Sequence, residues 1–192
     1  MSVTTLDNQA GDNHNHNAER FNELHPLLDE ERARHNDLGY AYEACLLASL
    51  LGEKDIFKDS SRDSDILSRF IHLFNRDFDS TYINAHRARE VLTQADFFYK
   101  KLKSIKTLKA KNTRLDQDII SVLLLFAYPD RLAKLRAKND NRYKLSNSKG
   151  AIIHQEDSLF NQEFLVVANL HAQTKDSFIN QALSITMSQI EE

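Results

Sequence analysis

The amino-acid sequence predicts an α+β protein, an N-terminal helical bundle followed by a small antiparallel β barrel that is one strand short. Two observations carry that reading. From Leu38 to Phe126, apolar residues recur at three- and four-residue spacing, the signature of helices with a buried face. After Arg142 the period drops to two, and turn-forming clusters separate short β-rich runs, as in small barrels or sheets. No repeat at a solenoid period is present. At 192 residues the chain can bury a core in one or two domains. The expected division is a disordered polar tail over 1–17, a helical domain over 18–138 and a β segment over 139–192.

The elements follow in order. Met1 to Asn17 is polar with no hydrophobic centre, so it is not a secretory signal. Its Asn-His-Asn-His run lacks the fixed geometry of a metal site. Ala18 to Leu28 can form a short helix interrupted by Pro26, and Asp29-Glu-Glu-Arg32 reads as a surface charge cluster. Asp37 can cap the next helix, which carries Leu38, Tyr42, Cys45, Leu46 and Leu50 and stops at Gly52. That helix is apolar nearly all round and so is buried among others. Cys45 within it reads as a small buried hydrophobe. Ser64 or Asp65 caps a helix striped with Ile66, Leu67, Phe70, Ile71, Leu73 and Phe74, with His72 off the stripe and solvated. Ser80 is the expected cap of a longer helix running through Ala88, Val91, Leu92, Ala95, Phe98 and Leu102 to Ile105. Asp116 and Asp118 open another, favoured by the positive helix N-terminus, and Pro129 ends it. Four strands are then expected: Arg142–Leu145, Ala151–His154, Glu163–Leu170 and Ser177–Thr186. A closed barrel of this kind has five.

The net charge of −3 conceals a polarity. Lys100, Lys101, Lys103, Lys106, Lys109, Lys111 and Arg114 form one basic run. Arg131, Lys134, Arg136, Lys138, Arg142, Lys144 and Lys149 form a second, and the only acids between Lys100 and Lys149 are Asp116, Asp118, Asp130 and Asp140. Such asymmetry points to a polyanionic partner, or else to a solvated face. The longest apolar run, Ile119 to Tyr128, is too short to span a membrane. A single cysteine allows no internal disulfide. The expected location is cytoplasmic.

No catalytic constellation stands out. A phosphate-binding loop ends in Gly-Lys-Ser/Thr, and none of Gly11, Gly39, Gly52 and Gly150 precedes a lysine. There is no Gly-x-Ser-x-Gly elbow and no His-Glu-x-x-His. No cofactor or metal is expected in this chain. The functional candidates are Arg131, Lys134, Arg136, Arg142, Lys144 and Lys149 as phosphate ligands. Tyr143 is a candidate for stacking on a base, or alternatively a core residue. Arg131 has a structural alternative too, an ion pair with Asp130 or a bond to helix-end carbonyls.

Several segments, in the right order, resemble one family. They are Leu24-His25-Pro26; Asp37-Leu-Gly-Tyr-Ala-Tyr-Glu-Ala-Cys-Leu-Leu-Ala-Ser-Leu-Leu-Gly-Glu-Lys-Asp-Ile56; Ala127-Tyr-Pro-Asp-Arg131; Arg142-Tyr143 with Asn147 and Gly150-Ala151; and Glu163-Phe-Leu-Val-Val-Ala-Asn-Leu170. Together they resemble the helicase-associated helical domain and OB-like barrel of HrpB-type ATP-dependent helicases, a bacterial DEAH-box family. The chain departs from the family pattern at Leu135-Arg136-Ala137 and at the Asn147-Ser148 turn. The resemblance implies an accessory, RNA-guiding role. The helical domain would be a ratchet-like wall closing an RNA channel against motor and winged-helix domains, and the barrel would contact single-stranded RNA or partners. ATP and Mg²⁺ would belong to the motor domains, so the family is enzymatic while this chain carries no catalytic residue. Helices made to pack on other domains would also leave an exposed apolar patch. The alternative is a non-enzymatic helical adaptor for protein partners.

Overall fold

The computed structural model describes residues 39–58, 63–79, 81–105, 107–171 and 177–191. The expected tail, the Ala18–Leu28 helix, the Asp29–Arg32 cluster, the Asp37 cap and Ser80 lie outside them. Four helices come first: α1 (Ala41–Gly52), α2 (Ile66–Asn75), α3 (Ala85–Ile105) and α4 (Gln117–Ala127). A 3₁₀ turn (Pro129–Arg131) leads into β1 (Leu132–Leu135), β2 (Arg142–Leu145), β3 (Gly150–Ile152), β4 (Phe164–His171) and β5 (Ser177–Ser184), and α5 (Met187–Glu191) follows. None of the described helices is long and apolar enough to cross a membrane.

Local chemistry sets the helix ends. The Asp65 side chain accepts from the Leu67 amide (2.9 Å) and starts α2, while Arg76 at φ 55° ends it. Asn84 takes the capping role expected of Ser80, its side chain accepting from the amides of His86 and Arg87 (3.1 and 3.2 Å). Asp116 caps α4 through the Asp118 amide. Every residue of α1 from Tyr42 to Leu51 is buried, as an all-round apolar pattern requires.

The barrel is closed, in the order β1-β2-β3-β5-β4. This corrects two expectations. The barrel is complete rather than a strand short, because Leu132–Leu135 is a strand pairing with both β2 and β4. It is also not wholly antiparallel, since β3 and β5 run parallel. β1 escaped the sequence reading because four residues behind a Pro-kinked corner, one of them lysine, hold too little alternation to register. The expected division after Lys138 falls between β1 and β2, inside the barrel.

Two cores share one wall. Ala133, Tyr143, Leu145, Ala151, Leu165, Val167 and Ile179 fill the barrel. Val166, Ala168, Leu183 and Ile185, facing outward from β4 and beyond, join the helical core. The unbroken apolar run Leu165-Val-Val-Ala168 is thus buried on both faces. Polar bonds pin the layers together. Asp157 accepts from the Ser64 amide (2.9 Å) and hydroxyl (2.5 Å), Ser158 donates to Asp63 (2.7 Å), and the Ala182 amide donates to the Ser64 carbonyl (3.0 Å).

Buried polar groups bind the loops. Asn112 donates to Glu43 Oε1 (2.9 Å) and to the Gly39 carbonyl (3.2 Å), closing the loop before α4 over α1. Glu43 is fully buried, and its Oε2 has no hydrogen-bond partner among the described residues. Burial raises its carboxyl above the usual range, against the Asn112 bond that lowers it. A carboxyl raised by folding contributes stability below its unfolded value and loses it as pH climbs through the folded one. Glu43→Gln, which keeps an acceptor for Asn112 without the charge, should therefore raise stability at neutral pH by on the order of 1 kcal/mol. Thermal melts across pH check this: the gain should vanish below about pH 4, where Glu43 is protonated in both states.

Cys45 is buried, and burial pushes its thiol up to about 12. Near pH 8 the thiol is then overwhelmingly protonated and unreactive. A disulfide reagent should leave the native protein unmodified and titrate it fully in denaturant. Rapid native labelling would contradict this.

Candidate nucleic-acid interface

Strand alternation sorts the second basic run. In β1, Ala133 points into the barrel and Lys134 out; in β2, Tyr143 and Leu145 point in and Arg142 and Lys144 out. Register places Lys134 directly opposite Lys144. One step on, the Arg136 amide donates to the Arg142 carbonyl (3.0 Å), which sets those residues opposite each other too. Two cross-strand cation pairs therefore lie on one exposed face. Like charges directly opposite destabilise a sheet, so this face carries a standing cost that a polyanion would relieve. Asp140 offsets part of it. Arg142 Nε lies 3.1 Å from both of its carboxylate oxygens and Nη2 3.0 Å from Oδ2. That guanidinium holds the Asp140 carboxyl below its ordinary range. Lys149 is exposed in the β2–β3 turn, where its amide donates to the Asn147 side chain.

Beside the pairs lies an open groove of about 890 Å³, bounded by Lys134, Arg136, Lys144, Ser146, Ser148 and Phe164 among others. Phe164 is the β4 partner of Lys134, whose Nζ lies 5.3 Å from the ring centroid.

Two expected candidates belong elsewhere. Tyr143 is fully buried, and its hydroxyl donates to the Gln162 carbonyl (2.8 Å). Burial, then the Asp157 charge, pushes that hydroxyl up to about 12. It offers no ring face to a base, so of the two readings left open for Tyr143 the structure takes the core and corrects stacking. Arg131 donates to the Ala168 carbonyl (2.7 Å) and covers the Tyr128 ring at 4.8 Å. It fastens the helix-to-barrel corner to β4. In the first basic run, Lys111 pairs with Asp96 (2.6 Å) and sits 3.5 Å over the Tyr42 ring, a structural use. Lys100, Lys101 and Lys103 are exposed along α3. His72, expected to be solvated, instead packs edge-on to Phe57 and Tyr82. Phe164 is the residue that the sequence reading missed. Its signal was its place at the entry to an apolar strand, where one face emerges from cover.

Among the described residues no group of three or more His, Cys, Asp or Glu could hold a metal ion. What remains is a helical layer packed on the wall of a closed five-stranded barrel, with an OB-like strand order and a cationic outer face. No family model matches the chain. Over 62 residues it is 36% identical to the ATP-dependent RNA helicase HrpB of Escherichia coli K12, a match covering 32% of this chain and 8% of that protein. A crystal structure of the E. coli DExH-box NTPase HrpB superposes with a TM-score of 0.61 at 21% identity, covering 91% of this chain and 19% of that one. A crystal structure of the E. coli DEAH/RHA helicase HrpB gives a TM-score of 0.58 at 19% identity over 89% and 19%. The chain is thus similar in sequence and fold to part of HrpB, and spans about a fifth of the length of those solved chains.

Proposed function

We propose that this chain is a nucleic-acid-guiding accessory part of an HrpB-type RNA helicase, with no ATPase of its own. In this reading the barrel face contacts single-stranded RNA. The helical layer is the ratchet-like wall that meets motor and winged-helix domains. ATP and Mg²⁺ belong to those domains, and the work is cytoplasmic. The opposed Lys134/Lys144 and Arg136/Arg142 pairs carry the reading. Like-charged pairs directly opposite on a sheet are retained at a cost that Asp140 offsets only in part, and phosphates are a ligand that would offset more of it. Similarity to a protein named as an RNA helicase supports the choice of RNA.

A non-enzymatic adaptor is the second reading, favoured by Phe97 (58% exposed) and Ile105 (60% exposed), two turns apart on α3. In the helicase reading these residues face another domain. Titrating labelled single-stranded RNA with the chain at low salt, then raising salt, separates the two. Binding that weakens steeply with salt supports guiding. Its absence at micromolar protein would favour the adaptor.

A further inference from the structure

We propose that Phe164 and the groove beside it form a stacking seat for one unpaired base, with Lys134 and Lys144 holding the adjoining phosphates. The ligand of this face is then a single strand rather than a duplex; this rests on the nucleic-acid reading above. Phe164, Lys134, Lys144 and Gly150 stand in one row across β4, β1, β2 and β3. Neighbouring strands are about 4.8 Å apart, so the Phe164 and Lys144 backbones are about 10 Å apart on one surface, within reach of one dinucleotide. The row ends at a residue with no side chain. Among the described residues the groove lining contains Lys134, Arg136 and Lys144 and no carboxylate.

Phe164 is held for the task. Half-buried, it leans on the helical core and also lines the groove. Further along the same face, Val166 and Ala168 lie under the helices. Phe164 is therefore where β4 emerges from that cover with an aromatic ring beside the cations. Lys134 rests near this ring now, an exposed and weak contact. A base stacked on the ring would be the stronger occupant, and the flexible lysine stem can swing its ammonium to a phosphate.

The test measures fluorescence anisotropy of the whole chain with two probes of equal length, a uridine decamer and an abasic strand with the same phosphates. Phe164→Leu keeps apolar bulk against the helical core, and Phe164→Tyr restores a ring. Phe164→Leu should weaken decamer binding about fivefold or more and leave abasic binding unchanged. Phe164→Tyr should bind as the parent does, and thermal melts verify folding. If Phe164→Leu binds both probes like the parent while Lys134→Ala weakens both, the stacking seat is wrong and the cationic face stands. If the parent binds neither probe, both are wrong.

Discussion

Arg69→Ala should cost this protein about 3 kcal/mol or more of folding stability, a large share of the roughly 5–15 kcal/mol of a typical domain. Arg69 is 2% exposed. Its guanidinium grips both Asp55 oxygens (2.8 and 2.7 Å), and also donates to the carbonyls of Asp65 and Asp63 at 2.8 Å each. The same group lies 4.4 Å over the Phe57 ring. One side chain thus ties the α1–α2 connection to the start of α2 and to the loop that bonds the barrel. Alanine would leave a carboxylate and two carbonyls short of donors. Asp55 is 37% exposed and water can reach it, so the loss belongs at the lower end of the 3–5 kcal/mol seen on breaking buried pairs. Arg69→Lys keeps the charge but cannot reproduce the planar fork, and should recover only part. Urea denaturation gives these values, and a loss of under about 1 kcal/mol for alanine would show that the network merely decorates a core stable without it.

The largest functional effect should come from removing the cation pairs together. Four phosphate contacts on a single strand imply a slope near −2.8 in log K against log salt. Affinity should then fall roughly fiftyfold between 50 and 200 mM salt. Changing Lys134, Arg136, Arg142 and Lys144 to alanine should flatten that slope and leave little binding. Folding should survive, because these side chains are exposed and like charges leave the sheet. Arg142 is already paired with Asp140, so its single substitution should weaken binding less than that of Lys144. A combined variant that keeps the parent's slope would place the RNA elsewhere, with the lysines of α3 as the next surface to change.

Much of the helical part was legible. The α3 stripe from Ala88 to Leu102 is buried as its spacing requires, Asp65 and Asp116 cap as their residue types predict, and Cys45 is the inert hydrophobe its neighbours imply. Strand periodicity found β2, β3, β4 and β5 but not β1, which is short and gains its pairing from two distant strands. The basic run was visible, but its sorting was not. Arg131 and Lys111 look like their neighbours in the sequence, yet they are spent on a β4 carbonyl and on Asp96 with the Tyr42 ring. The sequence leaves Tyr143 open between stacking and the core, and does not single out Phe164, for a related reason. Alternation shows which residues share a face with Tyr143 but not whether that face is inside or outside.

The sequence alone determined the helix stripes, the Asp65 and Asp116 caps, the change of period after Arg142, and the crowding of cations around it, because each depends on neighbours a few residues away. Which cation meets which, whether a ring points into the barrel or the groove, and whether the barrel closes were decided by tertiary structure. Register between strands comes from closure and from packing against the helices, and these join residues as distant as Lys134 and Phe164 or Ala151 and Ser177.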